Sequence, residues 1–196
     1  MYPVMLKMEG REALVVGGGG VAERKARNLV RAGALVTVVS PRVTSGIEGL
    51  HRTGDLTWNR KYFEPADIGG AMILIAATDH PEVNEQVSRA GEEAGKFVNS
   101  VDDKANCSFF TPAMIRRGAL TMAVSTSGTA PYFARRFREF LDTLLPADLG
   151  DCLEELEQIR EEVMAEDRTT QSERKQMIIE RQKSIIDSIL MRMEKR

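Results

Sequence analysis

Short apolar runs alternate with helical spacings through the first half of the chain. Residues 12–16 read as a short buried strand, followed at once by four glycines. Over residues 21–32, Val21, Ala22, Ala26, Leu29 and Val30 recur at helical spacing, and Gly33 fits a C-cap because glycine tolerates the left-handed conformation. Residues 35–40 form a second β-branched run, 44–52 suit a helix, and 56–59 suit a third strand. Residues 72–77 are continuously apolar, as expected of a strand covered on both faces. Pro81 suits the first position of the next helix, with Asp79 as its cap, and that helix runs to about Ala94. Gly95 ends it, and residues 97–100 make another strand. This alternation predicts an α/β fold: a Rossmann-like parallel sheet with right-handed crossovers over residues 1–112.

The character then changes. Residues 120–125 alternate large apolar with small or polar side chains, the mark of a half-buried strand. Ser127-Gly128-Thr129-Ala130-Pro131 reads as a turn into a helix over 132–145, closed by Pro146. Beyond it, Leu149, Leu153, Leu156, Ile159 and Val163 mark one amphipathic helix. Met177, Ile178, Ile185, Ile186, Ile189, Leu190 and Met193 mark another, and a polar stretch at 167–172 separates the two.

Composition narrows the classes. The chain has 196 residues, 42% hydrophobic and 29% charged, which suits a soluble globular protein. A net charge of −2 gives no electrostatic reason to expect nucleic acid or a membrane surface as partner. Cys107 and Cys152 cannot build a disulfide framework, and no CxxC pair suggests zinc. His51 and His80 lack metal-ligand spacing, so no metal site is expected. The N-terminus lacks a signal-peptide apolar region, and no run approaches the roughly 20 residues that span a bilayer. A cytoplasmic location is the expectation.

The chemistry concentrates in Gly17-Gly18-Gly19-Gly20-Val21-Ala22, which follows a strand and opens a helix. It fits G-x-G-x-x-G/A with Gly17, Gly19 and Ala22 at the defining positions. The first glycine permits a tight turn, the second lets backbone approach a pyrophosphate, and the small third residue packs helix on strand. Unpaired N–H groups at the helix N-terminus favour phosphate. The acidic residue that usually holds the adenosine ribose is missing near residue 40, where the chain reads Val38-Val39-Ser40-Pro41-Arg42. Ser40 suits a ribose hydroxyl and Arg42 suits a 2′-phosphate, so these residues leave NAD and NADP both open.

Residues 15–26, from Val15 through the four glycines to Ala26, closely resemble the opening of the precorrin-2 dehydrogenase / sirohydrochlorin ferrochelatase family. Ile75-Ala76-Ala77-Thr78-Asp79, Val98-Asn99-Ser100-Val101-Asp102-Asp103 and Ala123-Val124-Ser125-Thr126-Ser127-Gly128-Thr129-Ala130-Pro131 resemble it in the same order. The likeness extends from residue 2 to about 150, and the chain looks like the stand-alone form of the N-terminal part of siroheme synthase. It implies a Rossmann domain over 1–112, a dimerisation region over 113–146, a helical domain over 147–196, and a homodimer. The implied reaction is NAD-dependent oxidation of precorrin-2 to sirohydrochlorin in siroheme biosynthesis, with iron insertion (ferrous ion as a second substrate) left open. Gly20, Val21, Pro41 and Arg42 match the family's cofactor contacts, and Ala77 and Thr78 join the candidate set. Asp102 matches the family's acid/base, while Asp103 reads as structural. Arg116, Arg117 and Arg135 are candidates for the substrate carboxylates, with Arg136 and Arg138 nearby. Ser127 stands where the family often has glycine. The competing class is a nucleotide-sensing Rossmann module without catalysis.

Overall fold

A computed structural model of the chain describes residues 1–101, 103–166 and 170–195. They divide into two compact units, Met1–Thr111 and Pro112–Arg196.

The first unit is built on five parallel strands: β1 (Glu12–Val16), β2 (Leu35–Val39), β3 (Thr57–Asn59), β4 (Ile73–Ala76) and β5 (Phe97–Ser100). Their order is β3-β2-β1-β4-β5. The chain therefore winds outward from β1 to one edge, then returns to β4 and winds to the other. The switch between β1 and β4 is where open α/β sheets bind ligands, at the carboxyl ends of the strands. Register brings those ends level: Val16 pairs Val39 and Ala76, and Ala76 pairs Ser100.

Helices α1 (Gly20–Arg31) and α2 (Ser45–Thr53) belong to one face of the sheet, where Ala22, Ala26 and Ile47 pack with Ala13, Val15, Val36, Val38, Ile73 and Ile75. A 3₁₀ turn (Pro65–Ile68) and α3 (Pro81–Glu93) belong to the other, where Ile68 and Val87 pack with Leu14, Val16, Leu74, Ala76 and Val98. Alternate residues of each strand serve opposite faces, which is why β4, and β1 after Glu12, read as unbroken apolar runs. Burying a side chain such as Leu14, Ile47 or Leu74 contributes about 1.5–3 kcal/mol relative to exposure.

The second unit opens with an antiparallel hairpin, β6 (Ala113–Arg117) and β7 (Leu120–Val124), with Ala113 opposite Val124 and Ile115 opposite Met122. Helices α4 (Pro131–Leu144), α5 (Leu149–Met164) and α6 (Gln171–Glu194) follow. Ile115, Leu145, Leu149 and Ile189 form its core, with Leu120, Met122, Leu141 and Leu153 packed around them. Residues expected in two separate segments, 113–146 and 147–196, thus share one apolar cluster. Gln182 Nε2 donates to the Leu156 carbonyl at 2.6 Å, and Arg192 pairs with Asp148 at 2.6 Å, tying α6 to α5 and its N-cap.

Two local expectations change. The cap of α3 is His80, with Pro81 next in the first turn, rather than Asp79. Helix α6 begins at Gln171, inside the stretch expected to separate the last two helices. Thr170 caps it: its hydroxyl accepts from Glu173 N–H, and the Glu173 carboxylate accepts from Thr170 N–H at 2.8 Å. Residues 167–169 lie outside the described set.

Candidate dinucleotide site

The four glycines at the end of β1 do different jobs. Gly17 adopts φ +125°, and a Cβ there would stand 2.1 Å from the Ala77 carbonyl oxygen. Its N–H donates to the Val39 carbonyl at 3.0 Å, so it seals β1 against both neighbours. Gly18, a free position of the motif, is crowded too: a Cβ would lie 1.8 Å from the Arg42 carbonyl oxygen. Gly19 and Gly20 are different in kind, because a Cβ on either meets nothing within 4 Å. Gly19 is the N-cap of α1, in extended conformation, and no side chain caps the helix. The first-turn N–H groups and the positive end of the helix dipole therefore face open space, which suits an anion. Val21 is 38% exposed beside them, unusual for valine and suited to an apolar contact with a ligand.

The β2 end forms a wall against this turn. Ser40 is buried, and its hydroxyl donates to the Arg42 carbonyl at 2.6 Å. Its proton is thus committed within the protein, leaving an oxygen lone pair for any ribose hydroxyl. The Ser40 carbonyl accepts from Trp58 Nε1 at 2.9 Å. Pro41 is half-buried, whereas Arg42 is exposed. Thr44 N–H donates to the Gly18 carbonyl at 2.9 Å, stitching the two loops together. The Thr44 hydroxyl donates to Glu23 at 2.6 Å and accepts from Ile47 N–H at 3.3 Å, capping α2. That bond, with help from Arg27, holds the Glu23 carboxyl below the usual range.

At the β4 end, Ala77 is buried and its N–H donates to the Val16 carbonyl at 2.8 Å. Thr78 is gripped by Asn84 of α3. Asn84 Oδ1 accepts from Thr78 N–H at 3.0 Å and from its hydroxyl at 2.8 Å, and Asn84 Nδ2 donates to the Thr78 carbonyl at 3.0 Å. Gly17, Gly19, Gly20, Val21, Ser40, Pro41, Arg42, Ala77 and Thr78 all follow the level carboxyl ends of β1, β2 and β4.

Past β5, Asp102 lies outside the described residues. Asp103 does structural work. Its carboxylate accepts from Ala105 N–H at 3.1 Å, Asn106 N–H at 3.2 Å and Asn106 Nδ2 at 2.6 Å, closing a turn on itself.

The candidate arginines sit in the second unit. Arg116 is exposed on β6, and Arg117 pairs with Asp142 of α4 at 2.6 Å. Arg135, Arg136 and Arg138 all reach Glu139, at 3.1, 2.6 and 3.5 Å. One carboxylate against three guanidiniums leaves a net positive surface, suited to anionic substituents. Hydrogen bonds from Arg135 and Arg136 hold the Glu139 carboxyl below its usual range.

Residues 4–113, more than half of the chain, match the family model described as putative NAD(P)-binding. The chain belongs to this NAD(P)-binding family. A second model, the sirohaem biosynthesis protein central region, matches residues 117–144. Siroheme synthase 1 of Aeromonas salmonicida is 45% identical over 148 residues, which is 76% of this chain and 32% of the relative. A siroheme synthase of Photorhabdus laumondii is 43% identical over the same length. The chain thus spans about a third of the curated relatives it matches. Among solved structures, SirC, a precorrin-2 dehydrogenase, superposes with a TM-score of 0.81 at 27% identity, covering 96% of this chain and 98% of that one.

The open face of the Gly19 turn has the geometry that suits an anionic group at a helix N-terminus. Three residues of the site escaped the sequence reading. Gly18 was a free motif position, and neither Asn84 nor Glu23 carried a role. The signals that could have found Gly18 and Asn84 are the unbroken glycine run and an asparagine six residues after the strand-end Thr78.

Proposed function

We propose that the chain is an NAD-dependent dehydrogenase that oxidises precorrin-2 to sirohydrochlorin in siroheme synthesis. The likeness to the precorrin-2 dehydrogenase across both units, not the dinucleotide domain alone, carries this reading. The reaction removes a hydride and a proton from a reduced macrocycle. The nicotinamide, when bound, accepts the hydride. The Gly19 turn holds the pyrophosphate through first-turn N–H groups, and the level strand ends leave room along the sheet for the dinucleotide. Asp102, which follows β5 in the sequence, takes the proton as general base. The arginines of β6 and α4, with Arg116, Arg117 and Arg135 foremost, hold the macrocycle's carboxylates.

NAD is the preferred cofactor on the family resemblance, and turnover with NAD and NADP at equal concentration tests it. The decisive experiment mixes the protein with precorrin-2 and NAD and follows the absorbance spectrum. A dehydrogenase converts the tetrapyrrole and reduces NAD, whereas a sensing module binds NAD and leaves the spectrum unchanged. Asp102→Asn should keep NAD affinity and lose about 10²–10⁴-fold in rate. Repeating the incubation with ferrous ion tests iron insertion. We also propose a homodimer. Phe133, Phe137 and Phe140 stack in a row along α4, at 5.6 and 6.3 Å, and all three are exposed beside Tyr132. Such a patch is suited to an isologous contact, and a monomer by light scattering at micromolar concentration would refute it.

A further inference from the structure

Lysine rarely withdraws from water without a carboxylate partner. Lys25, on α1, does so. It follows Ala22 by one turn and sits beside Ala26, on the flank of the apolar face. Its Nζ donates to Asn99 Oδ1 at 2.9 Å and to Thr111 Oγ1 at 2.8 Å. Among the described residues no carboxylate lies within ion-pair distance. Burial is the leading cause that pulls the ammonium below its usual range, with repulsion from Arg24 added and Cys107 opposing.

What Lys25 holds is a loop. Asn99 is buried on β5, and its Nδ2 donates to the Phe109 carbonyl at 3.0 Å. Val98 N–H donates to Ser108 Oγ at 2.7 Å, and Ser108 N–H returns to the Val98 carbonyl at 2.8 Å. Cys107 Sγ accepts from Ser100 N–H at 3.2 Å and contacts the Asp103 carbonyl at 3.0 Å. Val101 N–H is anchored to the Ala76 carbonyl at 2.9 Å. Residues 107–109 are therefore bonded back onto β5, and Lys25 grips Asn99 of that strand and Thr111 beyond them.

We propose that Lys25 is a positioning residue for the dehydrogenase reaction, clamping Asn99 to Thr111 and so fixing the loop whose sequence contains Asp102. The inference rests on the dehydrogenase reading above. Two charge-assisted donors from one ammonium give a stiffer clamp than neutral bonds. A misplacement of about 1 Å in a catalytic group costs about 10²-fold in rate. The Lys25 ammonium thus sits where loop precision matters to chemistry.

Lys25→Met keeps the stem and removes the donors. Thr111→Val cuts one anchor and leaves Lys25 in place. Both are made in the full chain, beside Asp102→Asn, and measured for NAD affinity by calorimetry, for kcat with precorrin-2, and for hydrogen exchange. Lys25→Met should hold NAD affinity within about twofold while kcat falls between about tenfold and about 10²-fold. Exchange should quicken in peptides covering 98–111 and not in those of β1 and α3. Thr111→Val should change kcat in the same direction by less. A parental kcat in both variants, or equal losses in kcat and NAD affinity with uniform exchange, overturns the clamp. If Lys25→Met does not fold, Thr111→Val decides alone. If Asp102→Asn is inactive and Lys25→Met is parental, only this inference fails. If Asp102→Asn turns over at the parental rate, the acid/base assignment beneath it fails instead.

Discussion

Replacing Gly19 with aspartate should stabilise the empty protein and abolish its cofactor binding. Gly19 has φ −81° and open space where a Cβ would stand, so the backbone accepts a side chain without strain. It is also an N-cap with no side-chain cap of its own. Aspartate is among the best residues there, since its carboxylate accepts a first-turn N–H and meets the positive helix end; the gain over glycine is a few tenths of a kcal/mol from the cap and about 0.3–1 kcal/mol from the dipole. The same carboxylate occupies the space proposed for the pyrophosphate. Two unit charges about 5 Å apart at an effective dielectric of about 20 repel by about 3 kcal/mol, a factor of about 10² in affinity before any steric exclusion. Thermal melting of the apoprotein and calorimetry with NAD read the two effects separately, and they should move in opposite senses. Gly17→Ala is the contrast: it sets a Cβ 2.1 Å from the Ala77 oxygen in a backbone conformation that alanine resists. It should cost more than about 3 kcal/mol of stability. Unchanged NAD affinity in Gly19→Asp, or a loss of stability matching Gly17→Ala, would refute the assignment of the open face to the cofactor.

Ser127 holds φ +54°, in the left-handed region that costs a side chain about 1–2 kcal/mol. Ser127→Gly should therefore raise stability by about 0.5–1 kcal/mol after the extra unfolded-state entropy of glycine, read as an increased denaturation midpoint. Asn84→Ala strips Thr78 N–H of its partner and should cost about 1–3 kcal/mol in urea unfolding. The Glu23 carboxyl is held low by Thr44 and then Arg27, so its folded pKa lies under its unfolded one. Its contribution is present above the unfolded pKa, near 4.3, and is lost as pH falls through the folded value. Glu23→Gln should flatten the stability profile across that acid window, and an unaltered profile would contradict the latch.

The parallel sheet was legible because buried strands such as Ile73–Ala76 carry nothing but apolar residues, and because Gly33 and Gly95 mark turns between elements. Strand β6 was not legible. Ala113-Met114-Ile115-Arg116-Arg117 has no alternation and one β-branched residue, and only its pairing with β7 makes it a strand. The 3₁₀ turn at Pro65–Ile68 is too short to leave a period. At the site, the motif located Gly17 and Gly19 but not the crowding at Gly18, because Arg42 approaches it from 24 positions away in the chain. Lys25 was hidden for the same kind of reason. By helical spacing it belongs to the polar side, and only β5 and Thr111 draw it inward.

The loop after β2 carries a consequence for anyone wishing to exchange one nicotinamide cofactor for another. Arg42 presents two separable parts. Its carbonyl receives the Ser40 hydroxyl and abuts Gly18, so the backbone here is a cast taken from the glycine turn. Arg42 is exposed, and among the described residues its guanidinium braces nothing in that cast. On the proposed cofactor placement, substitutions of the Arg42 side chain alone should shift the preference between NAD and NADP, read as turnover with each cofactor. Transplanting the whole loop from a differently shaped donor should instead deform the glycine turn, because the Arg42 carbonyl abuts Gly18.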